Sequence, residues 1–319
     1  MNRLVPLGRT SARVARLAFG CEQLGGYQWG AVDPHEIALA IELAIDRGIT
    51  LFDTADCYGR GESERRLGRI LRSKRERALI STKFGVRFTD SGSVFYDSTP
   101  EWAEQAAEQS LMRLGVDTID LFQMHYWDHA TPLDALFERL ERLRELGKIR
   151  WYGITNACPD AALLAQYPGL VSFSLEFSLV ERSHELLART LQGCGLTFLG
   201  YGSLAQGLLS GKYRSGAEFP SDDRRSRTAY RHFHGEQYRR NCRIVDEVAR
   251  YAAACGATPA QMALAWILRQ MPGSVAIVGI KNRSQLNDAI AALSLTLSDD
   301  VAAMLERVSS ITETESAAT

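Results

Sequence analysis

The sequence predicts an α/β protein in which eight β-strands alternate with α-helices within one domain, residues 1–319. Eight apolar runs have the length and near-continuous hydrophobicity of strands that are buried on both faces. Between these runs, apolar residues recur with the period of an amphipathic helix. Capping residues at the ends of the helical stretches agree with this division. An alternation of this kind folds either as a closed β/α barrel or as a doubly wound open sheet.

The hydrophobic pattern also bounds each element. Strands are predicted at 17–20, 51–55, 79–84, 120–125, 150–156, 170–178, 196–202 and 274–280. Helices are predicted at 34–47, 62–71, 100–114, 132–146, 160–167, 185–192 and 259–270. Outside the repeating pattern we expect a hairpin within 3–16, extra helices in the C-terminal part (among them about 236–255) and a frayed tail at about 309–319.

Cap residues delimit several of the helices. Three helices are predicted to start after a threonine that caps the first turn ahead of a proline. Three glycines follow helix ends, where a left-handed backbone is needed. The threonines are Thr99, Thr131 and Thr258, and the glycines are Gly48, Gly115 and Gly147.

Length and composition limit the possible classes of protein. A chain of 319 residues lies within the usual size of one β/α barrel. Hydrophobic residues make up 45% and charged residues 24%, and the formal net charge of −1 gives no electrostatic reason to expect a nucleic acid or an anionic membrane as partner. No apolar stretch approaches the roughly 20 residues that cross a bilayer. No signal-peptide pattern follows Met1, so we expect a cytoplasmic protein.

Neither the cysteines nor the histidines form a metal-binding pattern. Zinc needs clustered ligands, and disulfide frameworks belong mostly to short secreted chains. His232-Phe233-His234 resembles a metal-binding pair but has no third ligand beside it. We therefore expect no metal and reduced structural thiols. The six scattered cysteines are Cys21, Cys57, Cys158, Cys194, Cys242 and Cys255.

Polar side chains stand where three consecutive predicted strands end. Asp53 closes the second strand and Tyr58 follows in its loop, while Lys83 and His125 end the third and fourth strands. In a parallel barrel all strand carboxyl ends open onto one face, which carries the active site. We expect these four side chains to converge there.

The residue types in this group indicate proton transfer by a tyrosine. A phenol has a reference pKa of about 10, too high for efficient proton transfer near neutrality. A lysine ammonium beside it favours the phenolate and lowers that pKa, and an aspartate keeps the lysine charged and fixed. Tyr58 is therefore predicted to act as general acid in one direction of a reaction and as general base in the other.

Phosphate-binding residues are predicted in the loops after the last two strands. The glycine-rich fingerprint of a dinucleotide-binding open sheet is missing after the first strand, and no P-loop motif is present. Instead, glycines and polar residues cluster at 201–207 and 279–285. Loops after strands seven and eight are the frequent phosphate site of β/α barrels, and Lys281, with Arg283, would suit an anion at a helix N-terminus. These features favour the (β/α)8, or TIM, barrel over the open sheet.

The chain resembles the aldo-keto reductases over nearly its whole length. The segments that carry the resemblance are FDTADCYG at 52–59, SE at 63–64, TK at 82–83, LFQMH at 121–125, GKIR at 147–150, GITN at 153–156, GLLSGK at 207–212 and GIKNRSQ at 279–285. The resemblance implies a catalytic tetrad of Asp53, Tyr58, Lys83 and His125. In that family the tyrosine is the acid, the lysine and aspartate tune it, and the histidine orients the carbonyl.

The resemblance also implies NADPH (or NADP; NADH is possible) bound across the barrel mouth. Thr155 and Asn156 match the pair that holds the nicotinamide carboxamide, and Tyr201 matches the aromatic ring that stacks on the nicotinamide. The loop 202–207 with Lys212 matches the pyrophosphate site, and Lys281 with Gln285 matches positions near the adenosine end. The full predicted cofactor set is Gly20, Cys21, Asp53, Thr155, Asn156, Ser174, Tyr201, Gly202, Ser203, Leu204, Gln206, Gly207, Lys212, Gly279, Ile280, Lys281, Gln285 and Asp288.

Three positions depart from the family pattern. Ser174 stands where a glutamine often binds the carboxamide, and the shorter hydroxyl could reach only through water or not at all. Gly202-Ser203 replaces a common serine-proline pair, and Ala289 replaces an asparagine near the adenine. These departures concern cofactor affinity and the preference for NADPH over NADH, and leave the tetrad intact.

The predicted substrate pocket consists of Trp29, Tyr58, His125 and Trp127, with the segment 219–234 at its mouth. Aromatic walls suit a partly apolar carbonyl compound. The arginine-rich stretch 222–227 is predicted to be a solvated, mobile lid, and an anionic substrate is a lesser alternative.

We predict reduction of an aldehyde or ketone, such as a sugar or a small aromatic or aliphatic carbonyl, by a monomer or homo-oligomer. Two alternatives stay open. One is a sugar or alcohol dehydrogenase that works with NAD or NADP in the opposite direction. The other is a cofactor-binding redox sensor, for which Cys57 beside Tyr58 offers a modest hint.

Overall fold

The computed structural model describes residues 4–159, 161–164, 166–213 and 216–314. Its strands are β1 (Leu4–Pro6), β2 (Arg13–Ala15), β3 (Leu17–Gly20), β4 (Leu51–Asp53), β5 (Leu79–Phe84), β6 (Val86–Phe88), β7 (Val94–Tyr96), β8 (Ile119–Met124), β9 (Ile149–Thr155), β10 (Leu170–Glu176), β11 (Thr197–Tyr201) and β12 (Val275–Gly279). Its α-helices are α1 (Pro34–Asp46), α2 (Glu62–Leu71), α3 (Pro100–Leu114), α4 (Leu133–Glu145), α5 (Ala161–Leu164), α6 (Glu185–Gly193), α7 (Gly235–Ala254), α8 (Pro259–Gln270), α9 (Arg283–Ala292) and α10 (Asp299–Thr314).

Eight of the strands close into a parallel barrel. Their order around it is β10-β11-β12-β3-β4-β5-β8-β9, and β9 pairs back onto β10. Closure excludes the open sheet that the sequence left as an alternative. Each barrel strand begins and ends within two residues of its predicted bounds. The predicted (β/α)8 barrel is confirmed.

The predicted helices form as well, with corrections at two places. α5 covers only Ala161–Leu164 of the predicted 160–167, of which residues 160 and 165 lie outside the described residues. α10 continues to Thr314, so the fraying expected from about 309 is wrong for 309–314. The rest of that predicted tail, 315–319, lies outside the described residues.

Two of the three predicted threonine caps are present. Thr99 Oγ1 accepts from Trp102 N, and Thr258 forms a full capping box at the start of α8. Thr131 is not a cap: α4 starts one residue later than predicted, after Pro132. The Thr131 hydroxyl donates to Asp128 instead, at 2.8 Å, because that carboxylate organises the preceding turn.

The predicted N-terminal hairpin, β1 with β2, contributes apolar side chains to the barrel interior. Val5, Leu7 and Val14 pack with inward-facing residues from six of the barrel strands. Those partners are Ala18, Leu51, Leu121, Val171, Leu199, Val275 and Ile277. A separate, larger cluster fills the space between the barrel and its helices. The amino-terminal half of the barrel interior is therefore apolar and filled.

The other half of the interior is polar because side chains alternate along each strand. On β5, Ser81 and Lys83 follow Leu79 on the same face, and on β8, Gln123 follows Leu121. The register pairs Asp53 with Ser81 and Lys83 with Gln123 across neighbouring strands. The strand pattern thus brings the polar residues together at the carboxyl end.

One hairpin was not anticipated. β6 and β7 pair antiparallel directly after β5, in register from Val86–Tyr96 to Phe88–Val94. Its side chains Phe88, Val94 and Tyr96 are exposed in large part. In the described part of the chain, no helix has the length and apolarity that crossing a bilayer requires.

Candidate active site

A cavity of about 1180 Å³ opens at the carboxyl ends of the barrel strands. It is larger than a typical small-ligand pocket, so it can hold an extended cofactor together with a second small molecule. The four predicted catalytic residues, Asp53, Tyr58, Lys83 and His125, all line this cavity.

Lys83 and Asp53 form a buried ion pair at the cavity floor. Lys83 Nζ donates to Asp53 Oδ1 at 2.5 Å and to Thr54 O at 2.9 Å. Both charged residues are only 3% exposed. The Asp53 carboxylate and the Thr54 carbonyl therefore fix the ammonium of Lys83 beside Tyr58.

A chain of hydrogen bonds extends from this pair over the neighbouring strands β4, β5 and β8 and then reaches past β9 to β10. Ser81 Oγ donates to Asp53 Oδ2 at 2.9 Å, and Gln123 Nε2 donates to Ser81 Oγ at 2.8 Å. Ser174 Oγ donates to Gln123 Oε1 at 3.1 Å. Ser174 lines the cavity, but its hydroxyl hydrogen is committed to Gln123. Ser81 and Gln123 were not anticipated from the sequence, although each lies two residues before a predicted catalytic residue on the same strand face.

Tyr58 packs between the lysine and the histidine. Lys83 Nζ lies 5.3 Å from the centre of the Tyr58 ring, and His125 meets that ring edge-on with centroids 5.9 Å apart. Burial raises the pKa of the Tyr58 phenol well above its usual value, and the nearby carboxylate of Glu22 adds to the rise. The expected lowering of this pKa is therefore wrong, since the loss of water around the phenol dominates. Tyr58 is a neutral phenol here.

His125 is uncharged as well. Burial, and then the neighbouring Lys83 charge, hold the pKa of its imidazole well below the usual value. Its ring stacks on Tyr126 with centroids 5.1 Å apart, and Tyr126 in turn stacks on Tyr96 of the β6–β7 hairpin at 4.6 Å. These two tyrosines were not anticipated from the sequence.

Thr155 and Asn156 lie at the end of β9, and Tyr201 lies at the end of β11, on the other side of β10. Tyr201 Oη donates to Asn156 Oδ1 at 2.7 Å, and Asn156 Nδ2 donates to the His125 carbonyl at 3.2 Å. Tyr201 lines the cavity, whereas the predicted carboxamide ligands Thr155 and Asn156 are not part of its wall. The Thr155 hydroxyl is buried without a hydrogen-bond partner among the described residues.

The loop after β11 has the backbone shape of an anion cradle. Gly202, Gln206 and Gly207 all have positive φ, at 65°, 52° and 96°. A Cβ at Gly202 would lie 2.9 Å from Glu176 Cγ, so only glycine fits against that side chain. Gln206 Nε2 donates to Glu176 Oε1 at 3.3 Å and ties the loop to β10. Leu204 and Ser203 also line the cavity, but the Ser203 hydroxyl is bonded to strand carbonyls.

Three cations gather at the far end of the cavity. Burial lowers the pKa of Lys281, and the charges of Arg225 and Lys212 lower it further. Lys281 Nζ donates to Trp29 O at 2.6 Å. Asp223 is the carboxylate that offsets part of this charge. The residues present fit a ligand with several phosphates.

The middle of the arginine-rich segment is packed, which corrects the prediction of a solvated lid over 222–227 at residues 223–225, whereas Asp222 and Arg227 are exposed. Asp223 and Arg225 are 2% and 6% exposed. The Arg225 guanidinium makes two hydrogen bonds to Asp223 and one to Tyr213 Oη. Arg224 pairs with Glu22 across the cavity from Tyr58. Among the aromatic partners of these arginines, Trp29 comes from a distant part of the chain, and the sequence around 222–227 could not reveal that contact.

The remaining predicted cofactor positions divide into two groups. Gly20, Cys21, Gly279, Gln285 and Asp288 line the cavity. A Cβ at Gly20 would lie 3.1 Å from the Val278 carbonyl, so the strand ends approach closely there. Ile280 does not line the cavity: its side chain is 3% exposed and belongs to the core.

The two tryptophans predicted for the substrate pocket behave differently. Trp29 lines the cavity beneath Arg224 and Arg225, on the side of Lys281, and its indole nitrogen is buried without a partner in the described ranges. Trp127 lies outside the cavity wall, contrary to the prediction. Its indole N–H donates to Thr131 O at 2.8 Å, which turns the ring into the loop before α4.

His232 does meet acidic side chains, which the sequence did not indicate. Glu176, Glu181 and His232 bring their ligand atoms within 4.8 Å of one another. Each is already engaged: His232 Nε2 bonds to Glu176, and Glu181 pairs with Arg231. His234 bonds to the Arg225 carbonyl instead, so the two histidines do not share a site. The group joins the end of β10 to the short turn that contains Arg231 and His232.

The sequence is similar to that of known proteins over nearly the whole chain. The family model "Aldo/keto reductase family" matches residues 16–310. "Probable aldo-keto reductase 1" of Glycine max is 32% identical over 299 residues, covering 92% of this chain and 85% of the relative. "Aldo-keto reductase yakc [NADP(+)]" of Schizosaccharomyces pombe is 30% identical over 300 residues, covering 90% of this chain and 86% of the relative.

Solved structures share the fold. The glycerol dehydrogenase AKR11B4 from Gluconobacter oxydans superposes with a TM-score of 0.87 at 30% identity, covering 97% of this chain and 96% of the other. The aldo-keto reductase AKR11C1 from Bacillus halodurans, in its holo form, superposes with a TM-score of 0.76 at 23% identity, covering 96% of each chain. The second likeness concerns the fold alone.

Proposed function

The chain belongs to the aldo/keto reductase family of NAD(P)H-dependent oxidoreductases, and on that premise we propose that it reduces an aldehyde or ketone to an alcohol with NADPH. The observation that carries the proposal is one cavity wall that holds the neutral Tyr58 phenol, the neutral His125 imidazole and the Lys83–Asp53 ion pair.

Each of these side chains has a defined task in reduction. NADPH, when bound, supplies the hydride that the carbonyl carbon takes up. Tyr58 gives its hydroxyl proton to the carbonyl oxygen, so carbon gains a hydride, oxygen gains a proton and an alcohol results. Because the pKa of Tyr58 is raised, the phenol keeps its proton at neutral pH and is available as the proton donor to the carbonyl oxygen.

The lysine and the histidine support this transfer. Loss of the proton leaves a phenolate, and the fixed Lys83 ammonium stabilises that negative charge. A neutral imidazole carries one N–H, with which His125 orients the carbonyl oxygen toward Tyr58.

The preference for NADPH is supported by the cations at the far end of the cavity. Lys212, Arg225 and Lys281 interact there with Asp223 as their carboxylate neighbour. This excess of positive charge suits a cofactor that carries an additional phosphate. The yeast relative is named for NADP(+), which agrees with the proposal. NADH as an alternative donor stays a prediction.

The test is a panel of aldehydes and ketones with NADPH and NADH, run on the wild type and on Tyr58→Phe. We expect cofactor consumption with some carbonyl compounds, and a loss of about 10²–10⁴-fold in turnover for Tyr58→Phe with unchanged NADPH affinity. Unimpaired turnover of that variant would contradict the assignment of Tyr58.

Oxidation of an alcohol is the second candidate, because a structurally similar relative with 30% identity is named a glycerol dehydrogenase. The same residues serve it in reverse, with Tyr58 as the base. Rates with NADP⁺ and NAD⁺ on glycerol and other polyols, set against carbonyl reduction at neutral pH, separate the two directions.

Three expectations from the sequence stay predictions: the cytoplasmic location, the monomeric or homo-oligomeric state, and the redox-sensor alternative. The last has little support from Cys57. Burial raises the pKa of its thiol, and the unreactive thiol form then predominates.

A further inference from the structure

Cys57 contacts a ring nitrogen of His125. Its Sγ lies 3.7 Å from His125 Nδ1, within hydrogen-bond distance for sulfur. In the described part of the chain, no other hydrogen bond reaches either nitrogen of that imidazole. Cys57 directly precedes Tyr58, and both line the cavity. The loop after β4 thus supplies the proton donor and, one residue earlier, a neighbour for the histidine.

The protonation states of the two groups determine the direction of this bond. Burial, and then the charges of Asp56 and Glu22, raise the pKa of the Cys57 thiol, so sulfur keeps its hydrogen. The lowered pKa of His125 keeps the imidazole neutral, with one N–H and one lone pair. The imidazole lone pair is a better acceptor than the weakly accepting thiol sulfur, so the favoured arrangement has S–H donating to Nδ1, which leaves the hydrogen on Nε2.

The rest of the surroundings hold the ring in place without selecting its tautomer. His125 N donates to Phe84 O at 2.8 Å, and its carbonyl accepts from Asn156. The Tyr126 ring covers the imidazole, and Tyr58 meets its edge. These contacts involve the backbone, one ring face and one ring edge, and none of them is a hydrogen bond to a ring nitrogen, so they fix where the imidazole lies and not which nitrogen is protonated.

We propose that Cys57 is a positioning residue for catalysis: its S–H donates to His125 Nδ1 and thereby holds the histidine in the Nε2–H tautomer. The Nε2–H is then the imidazole donor for the carbonyl oxygen of a substrate. The catalytic consequence rests on the proposed carbonyl reduction, whereas the tautomer itself does not.

The variants separate the hydrogen bond from packing. Cys57→Ser keeps a donor, whereas Cys57→Val fills similar space without one, and Cys57→Ala is the alternative if the valine variant does not fold. Cys255→Val, at the exposed end of α7, is the control for a cysteine remote from the site. A thiol is a weak donor. We therefore expect kcat to fall about 10-fold in Cys57→Val, less than the 10²–10⁴-fold of a full acid–base group, with KM for NADPH unchanged.

The deciding measurement is the ¹⁵N spectrum of the histidine side chains, which reports the tautomer without any turnover. The chain has six histidines, and a His125→Gln variant assigns the signal. We expect an Nε2–H tautomer in the wild type and in Cys57→Ser, and a mixture of tautomers in Cys57→Val. An Nδ1–H tautomer in the wild type, or the same spectrum in all variants, overturns the proposal.

This readout distinguishes the proposal from the proposed function. If no carbonyl compound is reduced but the spectra change as expected, carbonyl reduction fails and the Cys57–His125 bond stands. If reduction is observed and the spectra do not respond to Cys57→Val, only the Cys57 proposal fails.

Discussion

Lys83 Nζ lies 2.5 Å from Asp53 Oδ1 in a setting where each residue is only 3% exposed. Two charges withdrawn from water in this way depend on each other, because either one alone would be buried without compensation. The pair is also the end of the chain of hydrogen bonds through Ser81 and Gln123. The Lys83–Asp53 ion pair is therefore expected to contribute both to catalysis and to the stability of the barrel.

This coupling can be measured with a double-mutant cycle. Lys83→Met leaves the Asp53 carboxylate buried and unpaired, so we expect a loss of about 3–5 kcal/mol in the free energy of unfolding. Adding Asp53→Asn removes that charge and should recover most of the stability without restoring turnover. Urea unfolding and steady-state rates of the four proteins give both quantities. Strictly additive destabilisation would show that the two side chains do not interact energetically.

Asp56 predicts how stability changes with pH. Burial, and then the charge of Glu64, raise the pKa of its carboxyl to about 8. In the unfolded chain the same group has its usual pKa of 3.8. The folded state therefore binds this proton more tightly, so its stabilising contribution is complete below pH 3.8 and is lost as the pH rises to about 8.

Asp56→Asn should consequently be more stable than the wild type at pH 8–9, with the difference shrinking toward pH 4. Melting temperatures of both proteins over this pH range test the sign. The opposite result, in which the wild type becomes more stable than Asp56→Asn as the pH rises, would contradict this prediction. It would show that the Asp56 carboxyl is ionised more readily in the folded protein than in the unfolded chain.

The strand pattern made much of this site predictable. A polar residue at the end of an apolar strand, as at Asp53, Lys83 and His125, stands out because parallel strands otherwise bury both faces. The same period of two could have identified Ser81 and Gln123, which lie on the same strand face as the catalytic residues. Each of these polar residues can be recognised from the pattern of its own strand, and closure of the barrel then brings the residues of different strands together.

Other features depend on partners that the linear sequence does not show. Trp127 turns away from the cavity because the Thr131 carbonyl accepts its N–H. Arg225 is buried because Asp223 and Tyr213 satisfy its guanidinium and Trp29, from the start of the chain, packs against it. The direction of the Tyr58 pKa shift likewise follows from the balance between burial and neighbouring charge, which requires the folded structure.

Lys281 should determine the preference between the two reduced cofactors. Its ammonium lies at the cation-rich end of the cavity, whereas Arg283, two residues later, forms an ion pair with Glu36 at 2.9 Å. We expect Lys281→Met to weaken NADPH binding about tenfold, equivalent to one charged hydrogen bond, with little effect on NADH. Arg283→Met is the matched control and should bind both cofactors as the wild type does. Equal losses for NADPH and NADH in Lys281→Met would place its charge near a phosphate that the two cofactors share.

The β6–β7 hairpin offers a test of substrate selection with an internal control. Phe88 and Phe95 are both 38% exposed, but only Phe88 belongs to the cavity wall. An aromatic aldehyde that packs against Phe88 loses apolar contact when the ring is removed, and a lost hydrophobic contact of this kind costs about 1–3 kcal/mol. Phe88→Ala should therefore raise KM for aromatic aldehydes about tenfold and leave KM for small aliphatic aldehydes nearly unchanged. Phe95→Ala should alter neither, and parallel effects in both variants would mean that the hairpin acts through its own folding and not through contact with the substrate.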